Sequence, residues 1–235
     1  MRLHCASWGI DLSKGQLSLF NEYAKMLSHY PLANIIGTTT PEDIILEHLM
    51  DSLSCFLLDD LHHTASVVDV GTGPGLPGIP LAIARPELHV ALLEVTEKKV
   101  RFLNYAIEAL GLQNLQVLHG RAEQIGESLE YRGTFDLAVA RALAALPVVV
   151  EYCAPLVQIG GSVLAMKARL SEEELAKGTN ASRELKLAVR QVLAVSDRIP
   201  LQRKERRFVV LDKVEATPDR YPRRVGMAKK RPLGQ

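Results

Sequence analysis

Two different apolar periods divide this chain. Up to about residue 60 the apolar positions recur at helical spacing. Leu17, Phe20, Met26 and Leu27 follow Ser13 and Gln16, which read as a capping box. Ile45, Leu49, Leu53 and Phe56 follow Thr40 as N-cap, Pro41 as first helical residue and Asp43 in the capping-box place. From residue 66 the pattern changes to short runs rich in Val, Leu and Ile over 66–71, 89–95, 114–120, 135–142 and 160–168, with further candidates near 188–196 and 206–214. Helical stretches separate them. In residues 97–110, Val100, Leu103, Ile107 and Leu110 make one apolar stripe, with Lys98, Lys99, Arg101 and Glu108 largely outside it. A polar helix is expected around 171–187. Strands alternating with helices predict an α/β fold: about seven strands, mostly parallel, with helices on both faces. The expected organisation is a helical extension over 1–65 packed on a core of 66–214, followed by a basic C-terminal segment, 215–235.

Composition narrows the class. The 235 residues are 47% hydrophobic and 23% charged, the balance of an ordinary folded domain rather than a disordered or disulfide-stapled chain. No window approaches the ~18 uninterrupted apolar residues of a membrane span; the most apolar stretch, 135–150, is broken by Asp136, Arg141 and Pro147. Met1 to Ile10 has no apolar core of the secretory kind. Cys5, Cys55 and Cys153 have no paired spacing and read as reduced thiols, so a cytoplasmic protein is expected. His62, His63 and His119 lack ligand spacing, so no metal is expected. The net charge of +1 hides an asymmetry. From Arg198 onward there are 12 Lys+Arg against 4 Asp+Glu, a net of +8, which leaves −7 on residues 1–197. A basic end on an acidic body points to a polyanion partner.

The densest chemical signal is VVDVGTGPGLPGIP, residues 67–80. Gly73, Gly75 and Gly78 satisfy G-x-G-x-x-G, which alone is a weak dinucleotide signal. A pyrophosphate at a helix start is held by backbone N–H groups, and Pro74, Pro77 and Pro80 remove three of them. Asp69, just before the loop, repels phosphate and attracts an ammonium group. The ligand that fits is S-adenosylmethionine, with its methionine portion against Gly71, Gly73 and Gly75. Glu94, ending the second run, is placed for the ribose hydroxyls, a feature shared with nicotinamide folds. After the third run, the turn at Ala122 and Glu123 passes the adenine; Glu123 also complements a helix N-terminus. Arg141 ends the fourth run at the mouth of the sheet, where open α/β folds bind ligands, and Lys167 ends the fifth. The fourth run continues into Arg141-Ala142-Leu143, without the proline-rich loop of amine methylation, and no cysteine follows a proline as cytosine methylation uses. An acceptor with a free lone pair, such as guanine N7, needs neither.

These residues carry a family resemblance. The run from Asp69 to Gln124 closely resembles the bacterial RsmG (GidB) family, 16S ribosomal RNA guanine-N7 methyltransferases. Leu76-Pro77-Gly78-Ile79-Pro80-Leu81 and Lys99-Val100-Arg101-Phe102-Leu103 are its most restrictive parts. His48-x-x-Asp51-Ser52-Leu53, Phe135-Asp136 to Arg141-Ala142, and the ending from Tyr221 to Leu233 match as well. The resemblance covers about residues 20 to 233. It implies a class I, Rossmann-like S-adenosylmethionine-dependent methyltransferase acting on one guanine of 16S rRNA or the small ribosomal subunit, with a monomer sufficient. It carries cofactor contacts to Gly71, Leu76, Ala122, Glu123 and Arg141, the last as a positioning residue with no general base required. Its basic end assigns RNA contact to Arg223, Arg224, Lys229, Lys230 and Arg231, with Lys167 beside them. Departures are Glu94 where many members have Asp, Tyr30-Pro31 for Trp-Asn, Asn34-Ile35-Ile36 for Asn-Leu-Thr, and Ala168 for Gly. His48, Asp51 and Ser52 share one helix face, either as a substrate-side cluster or as a joint between the N-terminal helices and the core. Two rivals remain at this point: a nicotinamide oxidoreductase, told apart by tight NADH binding, and a noncatalytic rRNA-binding assembly factor, which would tolerate a bulky residue at Gly73.

Overall fold

The computed structural model describes residues 1–30, 40, 43–199 and 205–235; Pro31, the 34–36 segment and Pro41 lie outside them. Seven strands form one sheet in the order β3-β2-β1-β4-β5-β7-β6. They are β1 (Ser66–Val70), β2 (His89–Glu94), β3 (Leu115–His119), β4 (Phe135–Arg141), β5 (Val157–Lys167), β6 (Leu187–Ala194) and β7 (Arg207–Lys213). The first five are parallel, while β7 runs antiparallel to both β5 and β6. Chain order reverses between β1 and its neighbours β2 and β4. A crevice opens there at the carboxyl ends of the strands.

One face of the sheet is covered by the N-terminal part of the chain. Helices α1 (Arg2–Ser7) and α2 (Lys14–His29) come first; α3 (Asp60–His63) precedes β1, α4 (Gly78–Ala84) follows it, and α5 (Glu97–Leu110) follows β2. Their apolar stripes meet in one cluster that includes Phe20, Tyr23, Phe56, Leu81, Phe102 and Leu103. The Ser13 box forms as expected, and Gln16 also donates from Nε2 to Ile83 O and Ala84 O at 2.8 and 2.9 Å. It thereby satisfies carbonyls at the end of α4 that have no helical partner. Tyr23 donates to Pro74 O at 2.7 Å, tying α2 to the glycine loop. Thr40 Oγ1 accepts the Asp43 N–H at 3.3 Å, while the described helix begins at Ile44 with Asp43 before it.

The helix that follows departs from expectation. Ile44–Met50 is π-helical, continued by Asp51–Leu53. Its i→i+5 bonding widens the turn, so Ile44 and Leu49 are buried together while Ile45 is 37% exposed. An α-helical reading had placed Ile45 inside.

The other face carries α6 (Ala122–Glu127), α7 (Leu146–Cys153) and α8 (Glu172–Glu184) over a second cluster that includes Val68, Ala138, Val150, Val163 and Leu211. The C-terminal segment packs here too, with the short α9 (Met227–Lys230). Tyr221 and Ala228 are buried in this cluster and Leu233 packs against it. Arg132 donates to Gly126 O, Thr217 O and Tyr221 O at 3.0, 2.8 and 2.9 Å. Buried Lys213 donates to Ala154 O at 2.8 Å and to the Thr217 hydroxyl. The basic ending is a docked strap. Among the described residues no helix is long and apolar enough to cross a membrane, and no cluster of metal-ligating residues occurs.

Candidate functional site

Two strand-end acids hold the glycine loop from opposite sides. Asp69 Oδ2 accepts the Thr72 hydroxyl at 2.6 Å and the Gly78 N–H at 2.8 Å. Glu94 Oε2 accepts the Gly73 N–H at 3.0 Å, while its Oε1 accepts from Val95 and Thr96 at 3.0 and 2.8 Å. Lys99 Nζ stands 3.9 Å from Glu94. Gly71, with φ +71°, is a true glycine position: an added Cβ would lie 2.5 Å from Leu143 Cδ1, in a backbone region costly for L side chains. Gly75, φ +98°, lets the loop close on Ile79 and Leu103.

Between β1, β2, the turn before α6 and the segment after β4 lies a cavity of about 270 Å³. It brings together Gly71, Glu94, Ala122 and Glu123, four of the residues expected at the cofactor, with Lys99, Arg121, Ala142, Leu143, Tyr152 and Lys229. Of the other predicted cofactor residues, Arg141 lies outside this cavity, paired with Asp51 in the adjoining one, and the rest sit behind the lining. Gly73 has its N–H committed to Glu94, Gly75 and Leu76 pack inward, and Asp69 is fully buried under the loop. Its carboxylate does not line this cavity, so the direct or water-mediated contact to a ligand ammonium read from the sequence remains an expectation. One Asp69 oxygen, Oδ1, is buried without a hydrogen-bond partner, and burial raises this carboxyl's pKa to about 6 despite the bonds from Thr72 and Gly78.

A second cavity, about 420 Å³, adjoins the first and shares Ala142 and Leu143 with it. It is lined by Glu47, His48 and Asp51 from the π-helical region, by Arg141 at the end of β4, by Lys167 and Arg169 after β5, and by Arg206. Asp51, 1% exposed, bridges two guanidiniums: Arg141 at 2.9 Å and Arg206 at 2.7 Å. Ser52 donates to His48 O at 2.6 Å. The His48-Asp51-Ser52 face is thus a joint between the N-terminal helices and the sheet, and it forms one wall of this cavity. Lys167 donates to Ala144 O at 2.8 Å and pairs with Glu174 at 2.7 Å, while Glu174 accepts the Leu146 N–H at 2.8 Å. This clamp holds the post-β4 turn, in which Ala142 adopts φ +52°.

Other predicted RNA contacts divide. Arg223 is half-buried and forms a bidentate pair with fully buried Glu151 at 2.8 and 2.6 Å, which anchors the strap. Arg224, Lys230 and Arg231 are exposed. Lys229 is exposed and lines the first cavity. Sequence reasoning missed Arg206, one of several basic residues in a run where nothing singles it out. It also missed Glu151, whose partner lies 72 residues away.

A parallel sheet with its switch point at β1, an antiparallel β7, a glycine loop and a strand-end acid over an adjoining cavity define a Rossmann-like S-adenosylmethionine-dependent methyltransferase. The fold is shared with geranyl diphosphate methyltransferase solved in complex with S-adenosylmethionine, at a TM-score of 0.54 and 14% identity, covering 70% of this chain and 85% of that one. The chain belongs to the family of rRNA small subunit methyltransferase G (GidB), whose pattern matches residues 16–206. Its relatives include the Ribosomal RNA small subunit methyltransferase G of Rubrobacter xylanophilus, 48% identical over 97% of this chain and 87% of that protein. The protein of the same name from an Exiguobacterium species is 40% identical over 96% and 94%. The enzyme is an S-adenosylmethionine-dependent methyltransferase of small-subunit ribosomal RNA, which sets aside the oxidoreductase and noncatalytic readings.

Proposed function

We propose that the position methylated is N7 of a single guanine in 16S rRNA, and that the chain acts as a monomer in the cytoplasm. The observation that supports this most is the pair of adjoining cavities. One is walled by Gly71, Glu94 and the Ala122 turn; the other carries Arg141, Lys167, Arg169 and Arg206, and among the described residues they share Ala142 and Leu143. The residues fit the methyl donor: Glu94 offers acceptors to ribose hydroxyls, and the bare Gly71 backbone admits the methionine portion. S-adenosylmethionine, when bound, supplies an electrophilic methyl on a sulfonium.

The chain's own residues then have an alignment task. Guanine N7 has a lone pair and no proton to lose. Its attack on the methyl forms the N–C bond as the C–S bond breaks, the electron pair returns to sulfur, and the positive charge passes to the base. No side chain need take a proton, and Asp51, bridged between Arg141 and Arg206, is committed to holding those arginines. Holding two reactants in line supplies most of such a rate. Arg141, Arg206 and Lys167 are held by Asp51 and Glu174 and shape the second cavity, so its exposed Arg169 is the cation that meets the RNA backbone, a contact that provides affinity and register without reading sequence. The exposed Arg224, Lys230 and Arg231 extend that contact.

The test uses donor labelled at the methyl, incubated with the protein and either unmethylated small subunits or naked 16S RNA. Label entering RNA supports the proposal, and the better substrate shows at which stage of assembly the enzyme acts. Donor binding with neither RNA labelled would refute it.

A further inference from the structure

We infer that the C-terminal strap is a working wall of the methyl-donor cavity and that Lys229 is a donor-binding residue on its adenosine side; this rests on the donor-site reading above. The strap's path is dictated by two buried acids. Glu151 takes Arg223 through its side chain and also accepts the Arg223 N–H at 3.1 Å. Glu123, 3% exposed, accepts the Gly226 N–H at 2.9 Å. Gly226 turns with φ +83° into α9, and three residues later Lys229 joins the cavity lining beside Arg121, Ala122, Glu123 and Tyr152. Arg223 also donates to Arg231 O at 2.8 Å, closing the segment on itself. The short helix carrying Lys229 is thus fastened to Glu123 at its start and to the Glu151-anchored Arg223 at its end.

The chemistry of that corner favours this role. Glu123 spends Oε1 on a backbone N–H, so its carboxylate is first of all a fastening for the strap. Adenine presents ring-nitrogen acceptors, and a lysine ammonium has three donors for them. Lys229 follows Gly226 by three residues, and the Gly226 N–H is received by Glu123, which sets its entry into the wall from the side of the Ala122–Glu123 turn. Arg224 and Lys230 of the same strap are exposed and outside the lining, so the two tasks fall to different side chains.

Lys229 is exposed, so its replacement should leave the fold intact, and a thermal midpoint within about 1 °C of wild type checks that. Binding of S-adenosylmethionine and of 5′-methylthioadenosine, which lacks the amino-acid end, is measured by titration calorimetry on the full chain. Lys229→Ala should weaken both by a similar factor, about five- to tenfold. Lys229→Arg should recover most of the loss, and Lys230→Ala should bind both as wild type does. Equal donor affinity in Lys229→Ala and wild type overturns the inference. A loss confined to S-adenosylmethionine also overturns it, because the contact would then be to the amino-acid end. Failure of the wild-type chain to bind either compound would instead refute the donor site itself.

Discussion

Replacing Asp51 by asparagine separates the two roles its helix face admits. The wild-type carboxylate is 1% exposed and bridges Arg141 and Arg206, whose side chains are 14% and 12% exposed. Asparagine keeps the shape, removes the charge, and leaves two guanidiniums facing one amide oxygen. Taking one partner from a buried ion pair costs about 3–5 kcal/mol. The arginines retain some contact with water and the amide remains an acceptor, so about 2–4 kcal/mol is expected at this site. For a chain of this size that corresponds to a fall in Tm of roughly 4–16 °C. The assay is thermal unfolding followed by circular dichroism, with kcat/KM for RNA methylation measured well below the transition. Both should fall, because Arg141 and Arg206 lose their fixed position in the second cavity. An unchanged Tm with a large loss of activity would refute the joint and make Asp51 a substrate-contacting group.

Other expectations follow from the same geometry. Gly71→Ala meets Leu143 and an unfavourable φ; it should cost about 1–3 kcal/mol and abolish donor binding, as calorimetry would show. Asp69 has a pKa raised from 3.8 to about 6 by burial. Its stabilising contribution is therefore complete below pH 4 and lost as pH rises to 6, roughly 3 kcal/mol in all; Asp69→Asn should flatten that part of the stability curve measured in urea. Glu151→Gln removes the charge beneath Arg223, costing about 1–3 kcal/mol. It should make the bonds after Arg223 and Arg224 readily cut by trypsin, whereas an unchanged cleavage rate would show that the strap does not depend on this pair.

The parts of the molecule legible in sequence were those set by local periodicity. The 97–110 helix has the bounds of α5, all seven strands lie where the apolar runs predicted them, and the Ser13 box forms. Ile45 was misread because a π-helical turn moves the buried face, and side-chain polarity alone does not reveal that change of period. The cofactor corner was legible as a set of residues but not as depths. Glu94 and Asp69 are both strand-end acids, yet only Glu94 reaches the cavity lining, while Asp69 closes the loop beneath it. The basic ending was read by charge. Charge does not disclose that Arg223 answers a buried glutamate, or that Gly226 is received by Glu123. Contacts of that kind join segments far apart in the chain, and no local pattern announces them.

The central claim is most directly tested by locating the methyl group in the RNA. Unmethylated 16S RNA, free or in subunits, is treated with the enzyme and S-adenosylmethionine, then reduced with borohydride and cleaved with aniline, which cuts at N7-methylguanine. A single enzyme-dependent break at one guanine is the predicted result. Stoichiometric methylation of the RNA with no such break would place the methyl on another atom and contradict the account of a proton-free transfer between the two cavities.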